Sequence, residues 1–197
     1  VIGSTDAHTG LAAVEENNFF GKTPSTEPSA ERWNHPAIPA IKPELITRAW
    51  ALGASGLAAV WAQENTRESL FDALARREVY GTTGTRMTVR LFAGWEFTQQ
   101  DLYRADFAAN GYKRGVPMGG DLRAAPAGKA PVFLIHALQD VNGANLDRVQ
   151  VVKGWVDAKG EIHERIYDVA VSGGRKIGTD GRCWTAVGNT VNLANVN

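Results

Sequence analysis

The sequence predicts an α+β fold, with strand-and-helix units over residues 1–86 and an antiparallel, sandwich-like β-rich domain over residues 87–197. Three observations carry that reading. Val1-Ile2 runs into Gly3-Ser4-Thr5-Asp6 as an apolar strand stopped at a bend, and Leu57–Ala62 followed by Asn65–Arg77 has the order strand, then helix. Near Met87 the apolar period changes from helical to two. Asp157-Ala158-Lys159-Gly160 lies between two alternating runs, a hairpin turn ending in the glycine that a left-handed position favours.

The first ten residues hold the densest chemistry. In Asp6-Ala7-His8 a carboxylate oxygen and an imidazole nitrogen stand two apart, so an extended chain puts both on one side, where they can hold part of a Zn, Mn or Fe ion. Taken alone, the same pair also reads as a polar loop, with Asp6 capping a helix and His8 at the surface. Residues 11–20 read as a short helix or ordered loop. Glu15 and Glu16 there are helix-surface charges, or else face the metal as ligand or base. Lys22–Pro43 carries five prolines and little periodicity, which predicts a long surface excursion of the kind used as lids. His35 within it reads as a loop histidine, with a metal as the alternative.

Pro43–Leu52 has helical spacing at Leu45, Ile46, Ala49 and Trp50, with Pro43 suited to a first turn and Gly53 to a stop. Leu57–Ala62 is expected to be a buried strand. The next helix is predicted from an Asn65 cap with Glu68 three later, an apolar face of Leu70, Phe71 and Leu74, and an end near Arg77. Strands follow at Met87–Phe92, Val132–Leu138, Val149–Val156 and Ile162–Val171. His136 and His163 in these runs lack acidic or histidine neighbours at ligand spacing and read as structural. Gly111–Lys129 is rich in Gly, Pro and Ala, but no Lys-Ser/Thr pair completes a phosphate loop, so a turn and linker is expected. Gly173–Arg182 reads as another loop. The weak alternation of Val187, Val191, Leu193 and Val196 suggests a last edge strand.

Composition narrows the function classes. The 197 residues suffice for one good core or two small ones. Acidic and basic residues balance at 21 each, so no overall field draws the chain to nucleic acid or anionic lipid. Cys183 is the only cysteine, which excludes an internal disulfide and a thiolate-rich zinc site. No apolar run approaches the length of a membrane span. A soluble protein is expected, with cytoplasm and periplasm both open.

Gly3-Ser4-Thr5-Asp6-Ala7-His8-Thr9-Gly10 resembles the last metal-binding motif of the polymerase and histidinol phosphatase (PHP) superfamily. Gly56–Ala62 with Glu64-Asn65-Thr66-Arg67-Glu68, and Arg77–Arg86, resemble the segments that follow it. The resemblance is closest to a family of large bacterial PHP-like proteins of unassigned function. It implies that residues 1–86 are the tail end of a distorted PHP-type β/α barrel, and that Asp6 and His8 are metal ligands. The superfamily opens with a His-x-His strand that this sequence does not contain, so the chain reads as the C-terminal part of a longer protein. The implied activity is a metal-dependent hydrolase, phosphoesterase-like, acting on a small molecule the sequence does not name. Arg86, in the Thr83-Gly84-Thr85-Arg86 turn, is a candidate anion clamp or a structural salt bridge. Two ligands leave the metal site short, so the divalent metal is expected in the intact protein and is loosely held or absent in this chain alone. The alternatives are a binding module using Trp155, Tyr167 and Trp184 on a β-sandwich, and a structural module that forms homo-oligomers through exposed strand edges.

Overall fold

The computed structural model describes residues 3–10, 20–24, 27–38, 42–53 and 56–189. The chain divides into two compact units, residues 1–137 and residues 138–197. That boundary follows packing, whereas the expected one at residue 87 follows a change of period; the strands just after Met87 belong to the first unit. Glu15, Glu16 and the end of the expected last strand lie outside the described residues.

In the first unit β1 (Pro36–Ile38) pairs antiparallel with β2 (Thr47–Arg48). The helix expected over Pro43–Leu52 is replaced by two 3-10 turns, Pro43–Leu45 and Ala49–Ala51, on either side of β2. Ile46 and Thr47 explain the difference: two adjacent β-branched side chains favour extended backbone, and Thr47 has a strand partner in Ile38. Leu45 and Trp50, assigned to the apolar side of that helix, are exposed.

β3 (Leu57–Val60) and β4 (Val79–Thr82) pair antiparallel without a slip, from Leu57 opposite Thr82 to Val60 opposite Val79. The helix α1 (Arg67–Ala75) connects them. Because the two strands are antiparallel, strand, helix and strand here are not the parallel unit of a β/α barrel. No barrel is present among the described residues. The α1 cap is Thr66, whose hydroxyl accepts from the Ser69 N–H, one residue later than the expected Asn65. Its C-terminus closes in a Schellman motif, with Arg77 N–H donating to Leu74 O and Glu78 N–H to Ala73 O, while Arg77 takes the left-handed φ of 63°. The expected inward face is also corrected. Ala73 is fully buried, whereas Phe71 is 68% exposed and Leu74 is exposed as well. A small residue lets the helix backbone lie close to its support, and the large ones turn outward.

The core of this unit sits on a three-stranded sheet in which β5 (Thr88–Gly94) lies between β6 (Val116–Pro117) and β7 (Val132–Leu138). Phe92, Phe97 and Leu134 form its centre, with Phe107 and Ala108 of α2 (Phe107–Arg114) packed against them. Phe92 meets Phe107 and Tyr112 edge to face, at centroid distances of 5.7 and 5.1 Å. A capping box of Thr98 and Asp101 opens the 3-10 turn Gln99–Tyr103 before α2. The buried Asp101 carboxylate also accepts from Asn110 at 2.9 Å and Arg114 at 2.6 Å, tying the turn to α2.

The second unit is built on a long antiparallel ribbon, β8 (Arg148–Val156) and β9 (Ile162–Val171). Both strands and the Asp157–Gly160 turn follow the sequence expectation. Asp157 Oδ1 accepts from Lys159 and Glu161 N–H, and Gly160 adopts a φ of 86°. A two-stranded sheet stands where a sandwich is expected. Below the ribbon, Arg175 fixes the loop by donating to the Asp147, Ser172 and Thr185 carbonyls.

Candidate functional site

Residues 3–7 have no regular pairing, but they lie directly against the start of β3. A methyl group on Gly3 would fall 1.7 Å from the Leu57 carbonyl oxygen, and one on Gly56 would fall 1.9 Å from that of Ser4. Both positions therefore require glycine, and the contact fixes where the following Asp6-Ala7-His8 begins. The Ser4 and Thr5 hydroxyls accept from the Asp6 and Ala7 N–H groups in two local turns, and Asp6 takes a left-handed φ of 52°.

Lys22 holds the motif from the other side. Its ammonium lies 3.0 Å from Asp6 Oδ2 and donates to the Thr5 carbonyl, while its own carbonyl accepts from the His8 N–H at 2.9 Å. The hydrogen bond and charge of Lys22 draw the Asp6 carboxyl below its ordinary value of 3.8, and His8 is near enough to add a smaller pull the same way. Asp6 is thus an ionised oxygen donor, with its side chain 74% exposed. Asp6 and His8 fit a borderline divalent ion in donor type. In number they fall short: among the described residues no three His, Cys, Asp or Glu side chains are grouped to hold a metal.

Arg86 is exposed, in a turn where the Thr82 hydroxyl accepts from Gly84 N–H. His35 faces the buried Glu27 carboxylate at 4.0 Å, and Arg32 approaches the same oxygen at 3.7 Å. His136 lies against the Phe107 ring. His163 bonds Asp157 at 2.9 Å and stacks on Trp155, so both later histidines have structural partners. Trp155, Tyr167 and Trp184 are all partly or largely exposed. Residues 151, 153 and 155 share one ribbon face with 163, 165 and 167, where Lys153 lies over Trp155 and Arg165 over Tyr167.

Sequence reasoning missed the cluster around Glu78. This carboxylate is 2% exposed, accepts from the Tyr112 hydroxyl and faces Arg76 and Arg90 at 3.5 and 3.6 Å. The Arg90 guanidinium stacks 4.0 Å above Trp61, whose indole N–H donates to the Val89 carbonyl. The available signal was Arg90 itself, a fixed charge inside the apolar run of β5.

These observations define a mixed α/β chain of mostly small antiparallel sheets among the described residues. A family model for DUF3604, a protein family of unknown function, matches residues 1–197, and the chain belongs to that family. Neither the curated proteins nor the solved structures yield a match. No helix among the described residues is long and apolar enough to cross a membrane.

Proposed function

We propose that the chain supplies part of the metal centre of a PHP-type metallohydrolase that cleaves a phosphoester or related ester within a longer polypeptide. The observation that supports this best is the anchoring of Asp6-Ala7-His8: a glycine contact on one side, Lys22 on the other, and an Asp6 carboxylate kept ionised. Asp6 offers an oxygen and His8 a nitrogen to a Zn, Mn or Fe ion, with the remaining ligands drawn from outside this set. When bound, such an ion supplies Lewis acidity to the ester and lowers the pKa of water. Lys22 orients Asp6 and balances its charge until then. Arg86 serves as a clamp for the substrate's anionic group through its guanidinium fork. This reading requires a PHP-type barrel whose parallel strands lie outside residues 57–82, where β3 and β4 pair antiparallel.

The test is hydrolysis of a generic phosphoester with added Mn or Zn by the longer polypeptide, beside its Asp6→Ala and His8→Ala variants. Activity is expected to fall strongly in both variants. Undiminished activity in both would defeat the metal assignment. A second reading, a binding or oligomerisation module, is favoured by the exposed Val152, Val156, Ile162 and Ile166 and by the half-exposed Trp155 and Tyr167 on the ribbon.

A further inference from the structure

Beside the Glu78 cluster the first unit holds a half-open pocket of about 470 Å³, lined by Trp61, Gln63, Arg76, Glu78, Arg90 and Tyr112 among others. That volume is within the range of small-molecule sites, and Trp61, Ala62 and Pro117 give it an apolar wall. Its charges do not balance. Two guanidinium groups face one carboxylate, so one positive charge is left over in a partly desolvated place.

The hydrogen bonding points the same way. An arginine carries five N–H donors, and among the described residues Arg90 hydrogen-bonds only the Tyr112 hydroxyl, at 2.7 Å. Its Nε is buried with no hydrogen-bond partner among the described residues. The approaches of Arg76 and Arg90 to Glu78, at 3.5 and 3.6 Å, exceed the usual N–H···O distance, so Glu78 offsets one of the two positive charges without using up the pair's donors. Glu78 itself is held by Tyr112, and Arg90 by the Trp61 ring, which leaves the Arg90 guanidinium plane fixed before any ligand arrives. Arg76 is about half exposed and stands where a ligand would enter.

We propose that this pocket is a binding site for a small oxyanion, a carboxylate or phosphate group received by Arg76 and Arg90, with the body of the ligand against Trp61. A single negative charge completes the balance of two arginines and one glutamate, and a planar or tetrahedral oxyanion matches the forked donors. The site does not depend on Asp6 and His8 holding a metal.

The test is calorimetric titration of the protein in low-chloride buffer with inorganic phosphate and, separately, with benzoate, together with the shift of the Trp61 indole N–H in a nitrogen-labelled sample. Saturable binding of either probe that moves the Trp61 resonance is expected; phosphate alone would identify a phosphate site, benzoate alone a carboxylate site. Arg76→Gln should weaken binding by about tenfold or more, the loss of one charge-assisted contact. Arg123→Gln, an exposed arginine outside the pocket, should leave it unchanged. No saturable binding of either probe, an unmoved Trp61 resonance, or equal losses in the two variants would overturn the proposal.

Discussion

Replacing Phe92 by alanine should be among the most damaging single changes in the first unit, whereas the same change at Phe71 should cost almost nothing. Phe92 is fully buried and Phe71 is 68% exposed. Removing a buried phenyl ring loses its transfer free energy and leaves a cavity, together about 3–5 kcal/mol. The ring's two edge-to-face partners, Phe107 and Tyr112, each contribute about 0.5–1.5 kcal/mol beyond area, which places Phe92→Ala in the upper part of that range. For a domain of this size, a loss of about 4 kcal/mol lowers the melting temperature by on the order of 10 °C. Phe71→Ala removes an outward ring and should stay within about 0.5 kcal/mol of the parent. The assay is urea denaturation followed by near-ultraviolet circular dichroism, comparing midpoints at constant m-value. Equal losses in the two variants would refute the assignment of the core to β5 and α2 and restore the apolar face that periodicity suggests for α1.

Arg77→Gly should stabilise the protein by about 0.5–1 kcal/mol, since the left-handed position just after the C-cap of α1 strains a side chain other than glycine; a lowered denaturation midpoint would count against the Schellman geometry. Gly111→Ala should destabilise, because the added carbon would lie 2.5 Å from the Phe92 ring and force the core apart; an unchanged melting temperature would show that α2 does not rest there. Asp101 gives the pH dependence. Its backbone hydrogen bond from Thr98, reinforced by Asn110 and Arg114, holds the folded carboxyl below its ordinary value of 3.8. Its stabilisation is therefore complete above that value and declines as pH falls below it, and Asp101→Asn should flatten that part of the acid-denaturation curve.

Much of the β structure was legible because alternation writes itself into strands that are exposed on at least one face. The ribbon of β8 and β9 reads directly from Val149–Val156 and Ile162–Val171, and Asp157 with Gly160 names the turn between them. Strand direction was not legible at β3 and β4, since the connection through α1 is long enough for either sense. The buried side of α1 was misread because volume was taken for burial, and Ala73 carries no such mark. α2 was overlooked because Asn110 and Gly111 are weak helix formers, although Thr98 and Asp101 spell a capping box just before it. Asp6 and His8 stood out by residue type and by their spacing of two within Gly3–Gly10. The Glu78 cluster did not, because Arg76, Arg90 and Tyr112 are brought to it by pairing and packing that no short motif encodes.

The most direct test of the central proposal is metal content after dialysis against Mn or Zn, measured by elemental analysis on the longer polypeptide and on its Asp6→Ala and His8→Ala variants. The account predicts retained metal in the parent and a loss in each variant, with the fold intact by circular dichroism. Metal retained equally by the parent and both variants would contradict it.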